Sequence, residues 1–419
     1  MLCQPENLIG GIPMTVLNSK SLACFIISLT WQNGNAQHTE HYFAPNVNMW
    51  RDIFPDTVSR EILGQCKGHS CFFEFLPGDV LPPYDANKVY SLPLQNFSPP
   101  AGGAYAFPLF GRFYPQSFLT GVATIYPQSL LSMRVIEKSG SNTNFDFNHP
   151  MAGQAFAAEI NISEIKSSSV ERGGRCSDWL ECALDNGPGM QTRWNNLPTN
   201  FNISDPLPRM VDGDDMQFYS KPRFVHHVDS LASSFISKEY KKVIEPDDKI
   251  LDLMSSVHSH LPVRSDISVF GLGLNSEEMA SNTALSSNIV HDLNANPKLP
   301  FADGEFNVVL CSLSVEYLIH PQKIIKEATR VLSPGGKIIF SFSNRWFPPK
   351  VTTLWTQLHE FERMGLILEF LLNIESFSDF ATISYRNWPR PAEDKYSSTI
   401  PVSDPVYILK ARKQSLNKQ

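Results

Sequence analysis

The sequence predicts two architectures in one chain: a mainly-β N-terminal half and a C-terminal α/β half built on a doubly wound, mostly parallel sheet. Three observations support this. From residue 221, strand-like runs alternate with segments of helical period. Those runs are almost continuously apolar, as strands buried on both faces are. Before residue 166 the chain instead shows short β-type runs broken by turn residues. At 419 residues it also exceeds one ordinary core.

The N-terminal runs are "CFIISLTW", "SCFFEFLPGD", "MRVIEKSGSN" and "FAAEINISEI", with Asn33-Gly34 as a hairpin signal because both residues tolerate positive φ. The apolar run 22–31 has only Lys20 as a nearby positive charge and "NGNAQ" as a poor cleavage site, so it reads as a core strand. It is also well short of the ~20 residues that span a bilayer. Residues 166–220 carry Gly, Pro, Asn and Asp without periodicity, as a linker or an irregular packed arm. Next comes a helical segment with Phe224, Val228, Leu231, Phe235 and Tyr240 on one face. Strands "KILDLM", "SVFGLGL", "NIVHDL", "FNVVLCSLS" and "GKIIFSFS" then alternate with helices "SEEMASNTAL" and "PQKIIKEATRVL". One long helix, "VTTLWTQLHEFERMGLILEFLLN", precedes two last strands, "FATISYRNW" and "PVYILKARK". Sheets of this kind bind ligands at the carboxyl ends of their strands.

Apolar residues at 42% and charged residues at 18% mark a globular chain. The net charge, 35 − 42 = −7, and the lack of a basic run argue against nucleic acid or an anionic membrane as partner. Seven cysteines without a C-x-x-C pair suit a reducing compartment, and the expected location is cytoplasmic. The histidines are too sparse to predict a metal site.

The segments "ILDLM", "VFGLGLNSEEM", "DLNANPKLPFADGEFNVVLCSLSVEYL" and "VLSPGGKIIFSFSN" resemble the class I S-adenosylmethionine-dependent methyltransferases of the methyltransferase-11 type over residues 221–412. The resemblance implies a Rossmann-like sheet and S-adenosylmethionine as cofactor. It implies a cofactor loop of Asp252, Met254 and Ser255, an adjoining strand end of Gly271, Leu272, Gly273 and Leu274, and an adenine edge of Asp292, Leu293 and Asn294. Two departures stand out. The family's D-x-G-x-G loop keeps only Asp252, with serines following, and the ribose-binding acid falls on Gly273. Ser255 and Ser256 can still cap a helix and leave backbone N–H groups for a carboxylate. Methyl transfer asks for positioning and a general base where the acceptor carries a proton. Glu316, Tyr317 and His258 are the catalytic candidates near the strand ends, with Asn344 and Tyr385 further choices.

Residues 20–165 resemble the SlyD-like branch of the FKBP prolyl isomerases through "EILGQCKGHSCFFEF", "PPYDANKVYSLP" and "FNHPMAGQAFAAEINISEI", with an inserted flap at about 92–145. That resemblance implies an apolar pocket with Phe75 and Tyr84 and a peptide- or protein-binding role. The family's hairpin aspartate is missing and its turn tyrosine aligns with Leu81, so isomerase activity is expected to be residual at most. The combined expectation is a methyltransferase for an unidentified small-molecule or protein acceptor, with 166–220 as a connecting arm. The rival is an isomerase-like binding protein whose C-terminal sheet no longer catalyses.

Overall fold

The computed structural model describes residues 15–100, 107–123, 125–166, 173–262 and 264–415. The chain begins with a hairpin, β1 (Leu22–Asn33) and β2 (Ala36–Asn48), which turns at Gly34 with φ 54. The apolar run at 22–31 is therefore a strand, with Phe25, Ile27 and Leu29 fully buried. Helix α1 (Asp56–Ile62) and strand β3 (Ser70–Phe75) follow. Strands β4 (Val89–Pro93), β5 (Phe113–Pro115), β6 (Ser132–Ser139) and β7 (Asn142–Asp146) form a separate sheet ordered β4-β7-β6-β5. This sheet occupies the position of the expected flap, parts of which (101–106 and 124) lie outside the described residues. It has a small core of its own around Phe97, Met133 and Phe145. Strand β8 (Phe156–Lys166) returns to pair with β1 and β3.

Over its described residues, 173–220, the connecting region is a packed arm. Helix α2 (Trp179–Leu184) buries Leu180, Ala183 and Leu184 in the N-terminal core, while Phe201 and Leu207 enter the C-terminal core. Arg193 pairs with Glu369, 2.5 Å apart. The short helix α3 (Asp215–Phe218) closes the arm.

The C-terminal half runs α4 (Ser230–Lys241), β9 (Lys249–Leu253), β10 (Ser268–Gly273), α5 (Ser276–Ser281) and β11 (Ser287–Val290). It continues through β12 (Phe306–Ser312), α6 (Pro321–Val331), β13 (Leu332–Phe342), α7 (Thr353–Thr356), α8 (Glu360–Leu372), β14 (Phe377–Arg386) and β15 (Val406–Lys413). These strands lie in the order β11-β10-β9-β12-β13-β15-β14, parallel except for β15. Such an order, reversing beside β9, opens a crevice at the carboxyl ends of the central strands.

The sheet continues past β14. Strand β2 pairs with it in parallel, from Phe380↔Ala36 to Arg386↔Tyr42, so one sheet of 11 strands runs through both halves. Polar groups fill this seam. Glu40, fully buried, pairs with Arg386 and accepts from the Ser384 hydroxyl. His38 Nδ1 lies 2.7 Å from the Thr382 hydroxyl.

Two helix expectations change. The segment from 221 does not start a helix: Asp229 caps α4 by accepting from the N–H groups of Leu231 and Ala232, and Phe224 is 62% exposed. The single long helix divides into α7 and α8 because His359 acts as an N-cap, in a capping box with Glu362. Among the cysteines, Cys24, Cys71, Cys176, Cys182 and Cys311 are free, whereas Cys66 is disulfide-bonded, against the expectation of thiols throughout. Among the described residues no helix is long and apolar enough to cross a membrane.

Candidate cofactor site

The crevice is built upward from β9. Asp252, near its carboxyl end, is fully buried, and its Oδ2 accepts from the Ser255 and Ser259 hydroxyls at 2.7 and 2.6 Å. The next residue but one, Met254, stands where the family has its first loop glycine and adopts φ 55. The loop thus keeps a left-handed turn without a glycine, at a cost of about 1–2 kcal/mol. Its other end is fastened to α5: Ser256 Oγ donates to Glu278 at 2.6 Å, and Asn282 donates to the Ser256 carbonyl at 2.9 Å.

Gly273 shows why the ribose acid is absent. A Cβ there would lie 2.1 Å from the Ser255 carbonyl oxygen, so the serine loop occupies the space an acid would need. Gly271 is also closely approached, its Cβ falling 2.6 Å from Leu285. The course of this loop and the lack of an acid at Gly273 therefore go together. Leu272 is buried in the core beneath, and Leu274 lines the crevice.

On the far wall, Asp292 lines the crevice while its Oδ1 accepts from the Asn294 and Ala295 N–H groups at 2.8 and 3.2 Å. Leu293 lies beside it. Asn294 has a supporting role: its amide donates to Asp215 (2.9 Å) and to the Tyr317 carbonyl (3.1 Å). Asp215 in turn pairs with Arg209 and Lys350, which burial opposes and which holds its carboxyl below the usual range.

That network anchors a cover that the sequence reading missed. Tyr219, Arg223 and His227, between α3 and α4, close over the crevice with Phe347. The Arg223 guanidinium lies 4.6 Å from the Phe218 ring and 5.6 Å from those of Tyr219 and Phe347. Its Nη2 donates to the Phe218 carbonyl, but its buried Nη1 has no hydrogen-bond partner among the described residues. A buried, unmatched guanidinium nitrogen is costly unless a ligand anion meets it. The only sequence signal was a lone arginine between aromatics, at the start of the segment read as helical.

The three catalytic candidates separate. His258 lines the crevice and stacks on His226 with ring centroids 4.2 Å apart; burial, and then His226, hold its pKa below the usual histidine value. Tyr317 also lines it, but its hydroxyl accepts from the Phe347 N–H at 2.9 Å and so positions that ring. Glu316 does not line the crevice. Its side chain is buried, with Oε2 unpartnered among the described residues, and burial pushes its pKa up to about 8, so it is a neutral core carboxyl at pH 7. Asn344 bonds Glu360 and Arg363, and the Tyr385 hydroxyl donates to Glu239, both away from the crevice. Among the described residues no group of three His, Cys, Asp or Glu side chains is set to hold a metal.

With this geometry, residues 256–340 match a family profile described as a methyltransferase domain. This match supports S-adenosylmethionine as the cofactor. Among curated proteins, the chain is 41% identical over 54 residues to the ubiquinone/menaquinone biosynthesis C-methyltransferase UbiE of Laribacter hongkongensis (13% of this chain, 22% of that protein). It is 29% identical over 94 residues to the demethylmenaquinone methyltransferase of Paenarthrobacter aurescens (22% and 36%). The chain thus spans between about a fifth and a third of these relatives. A solved SAM-dependent methyltransferase from Aquifex aeolicus is similar at 14% identity and a TM-score of 0.30, covering 48% of this chain and 100% of that one.

Burial raises the Asp252 pKa from 3.8 to about 6, with the two serine hydroxyls opposing. The folded state therefore holds the proton more tightly, and this group's contribution to stability falls as pH rises from about 4 to 6. At pH 8 the penalty is roughly 3 kcal/mol. Asp252→Asn is expected to raise the melting temperature at pH 8 and to lose that advantage at pH 4, measured by thermal unfolding.

Proposed function

We propose that the chain transfers a methyl group from S-adenosylmethionine to a small-molecule or protein acceptor. The observation that carries this reading is the partnerless Arg223 nitrogen in the crevice that also holds Asp292 and the serine loop. The cofactor has one anionic group, the carboxylate of its amino-acid portion, which suits this guanidinium. Asp292 and Leu293 would bound the adenine, while the Ser255 loop, Gly273 and Leu274 supply a close wall in place of the acid, with Gly271 and Leu272 behind it. Bound here, the cofactor supplies an electrophilic sulfonium methyl. The cover of Tyr219, Arg223 and Phe347 excludes water, and Tyr317 fixes Phe347.

Arg223→Gln is expected to weaken S-adenosylhomocysteine binding about 10–150-fold. Binding of methylthioadenosine, which lacks the carboxylate, should change little. Calorimetry with both ligands tests this; equal losses for the two would place the carboxylate elsewhere. If the wild-type chain binds neither at millimolar concentration, the rival reading holds, a binding protein with a non-catalytic methyltransferase-like domain.

For the N-terminal half we infer a peptide- or protein-binding module with weak prolyl isomerisation at most. Phe75 is packed against Phe156 in the core, and the Tyr84 ring faces Trp194 of the arm at 6.0 Å. A protease-coupled peptide assay is expected to show turnover far below that of an FKBP isomerase. Turnover at that level would instead support an open, functional pocket.

A further inference from the structure

A second cavity adjoins the cofactor crevice, and His227, Leu313, Tyr317 and Phe347 line both. Its remaining walls are Val225, Val228 and Trp346, the imidazole of His226, and the cations Arg345 and Lys395, with no carboxylate among the described lining residues. Among the described residues Arg345 makes one ion pair, 3.2 Å from an Asp404 that Arg390 already holds at 2.7 Å. Lys395 forms no ion pair among the described residues and rests 4.8 Å from the Tyr396 ring. Flat rings and two cations suit a ligand with one apolar face and one negative end.

The shared wall is where a reaction between the two cavities would occur. Leu313 sits there with φ 51, a strained backbone of the kind that clusters at functional sites. His227 stands edge-on to Phe347, ring centroids 5.8 Å apart. Its imidazole is mostly buried, and burial depresses its pKa; Glu278 opposes this, while Arg345, His258 and His226 add to it. The ring is therefore neutral at pH 7 and able to accept a proton.

We propose that this second cavity holds the methyl acceptor, a flat small molecule bearing a negative group, and that His227 is its general base. The inference rests on the methyltransferase reading above. In the step, the acceptor's X–H bond breaks and its proton passes to a His227 ring nitrogen. The X–CH3 bond forms as the S–CH3 bond breaks. That bond's electron pair stays on sulfur, leaving a neutral thioether, and the imidazolium later releases its proton to solvent.

The test uses the full chain saturated with S-adenosylhomocysteine and two probes, 4-hydroxybenzoate and the neutral 4-hydroxybenzyl alcohol. Saturation-transfer NMR is expected to show 4-hydroxybenzoate binding at least ten-fold more tightly than the alcohol. Lys395→Met should narrow that gap several-fold, and Val225→Trp, which fills the cavity from an exposed position, should abolish probe binding. Neither variant should move S-adenosylhomocysteine affinity by more than two-fold, which also shows that each folds. With ring-labelled histidine, 4-hydroxybenzoate should shift the resonance assigned to His227 through His227→Gln. Equal binding of the two probes, or no binding of either, overturns the acceptor class. Binding that survives Val225→Trp overturns the location, and an unmoved His227 resonance overturns the base. Failure of S-adenosylhomocysteine itself to bind overturns the methyltransferase reading instead.

Discussion

Arg386→Met is expected to lower the stability of the whole chain by about 3–5 kcal/mol, the cost of leaving a buried partner charge uncompensated. Glu40 is fully buried in the seam between β2 and β14, and Arg386 is its only ion-pair partner among the described residues. Arg386 also donates to the Ala183 carbonyl at 2.9 Å, so its loss loosens the arm as well. Burial already raises the Glu40 pKa to about 7, against the pull of Arg386. Without the arginine the carboxyl pKa rises further, so the acid already takes its proton at higher pH. The deficit should therefore be smaller at pH 6 than at pH 8, because a raised acid pKa removes stability as pH rises through it. Urea titration followed by tryptophan fluorescence measures the midpoint. The double variant Glu40→Gln with Arg386→Met should regain at least half of the loss. A single variant that unfolds like the wild type would show that the seam tolerates the lone acid.

Gly273→Asp, which restores the family's acid, is expected to weaken cofactor binding and the fold together. The added Cβ meets the Ser255 backbone at 2.1 Å, and a backbone carbonyl cannot swing aside as a side chain can. Relief would require displacing the loop that carries Ser255, Ser256 and Ser259, and with it the hydrogen bonds to Asp252 and Glu278. Overpacking of this kind costs roughly 1–3 kcal/mol. The urea midpoint should fall, and S-adenosylhomocysteine affinity should drop at least ten-fold by calorimetry. Tighter binding would mean that the loop is free to reopen the family's ribose site.

Much of the α/β half was legible because its strands are short apolar runs with clear ends. Asp252, Gly273 and Asp292 fell at strand ends that local pattern already placed. What escaped depended on distance or on shape. The cover over the crevice comes from residues 215–227, where the helical period read from residue 221 was misleading, because the helix starts only at Ser230 and leaves Arg223 and His227 in an irregular segment that spacing cannot place. Glu316 stood next to a strand end in sequence, yet its side chain turns into the core, which spacing cannot reveal. The break before α8 was hidden because the apolar period continues through His359. The β2–β14 seam had no local trace at all, since its partners lie 344 residues apart.

That separation has a consequence for synthesis on the ribosome. Strand β2 emerges early, and its partner β14 follows after about 340 further residues; at 5–20 residues per second this is roughly 20–70 s. During that interval the hairpin presents an unpaired edge, the feature that most readily templates aggregation between nascent chains. His38 and Glu40, buried on β2 once the sheet closes, would then face solvent as a polar and a charged side chain. Inward-pointing charge is one of the devices that discourage a foreign strand from docking. Only β14 brings Arg386 to neutralise the acid, so a residue that burdens the finished sheet also guards the half-made one against the wrong neighbour.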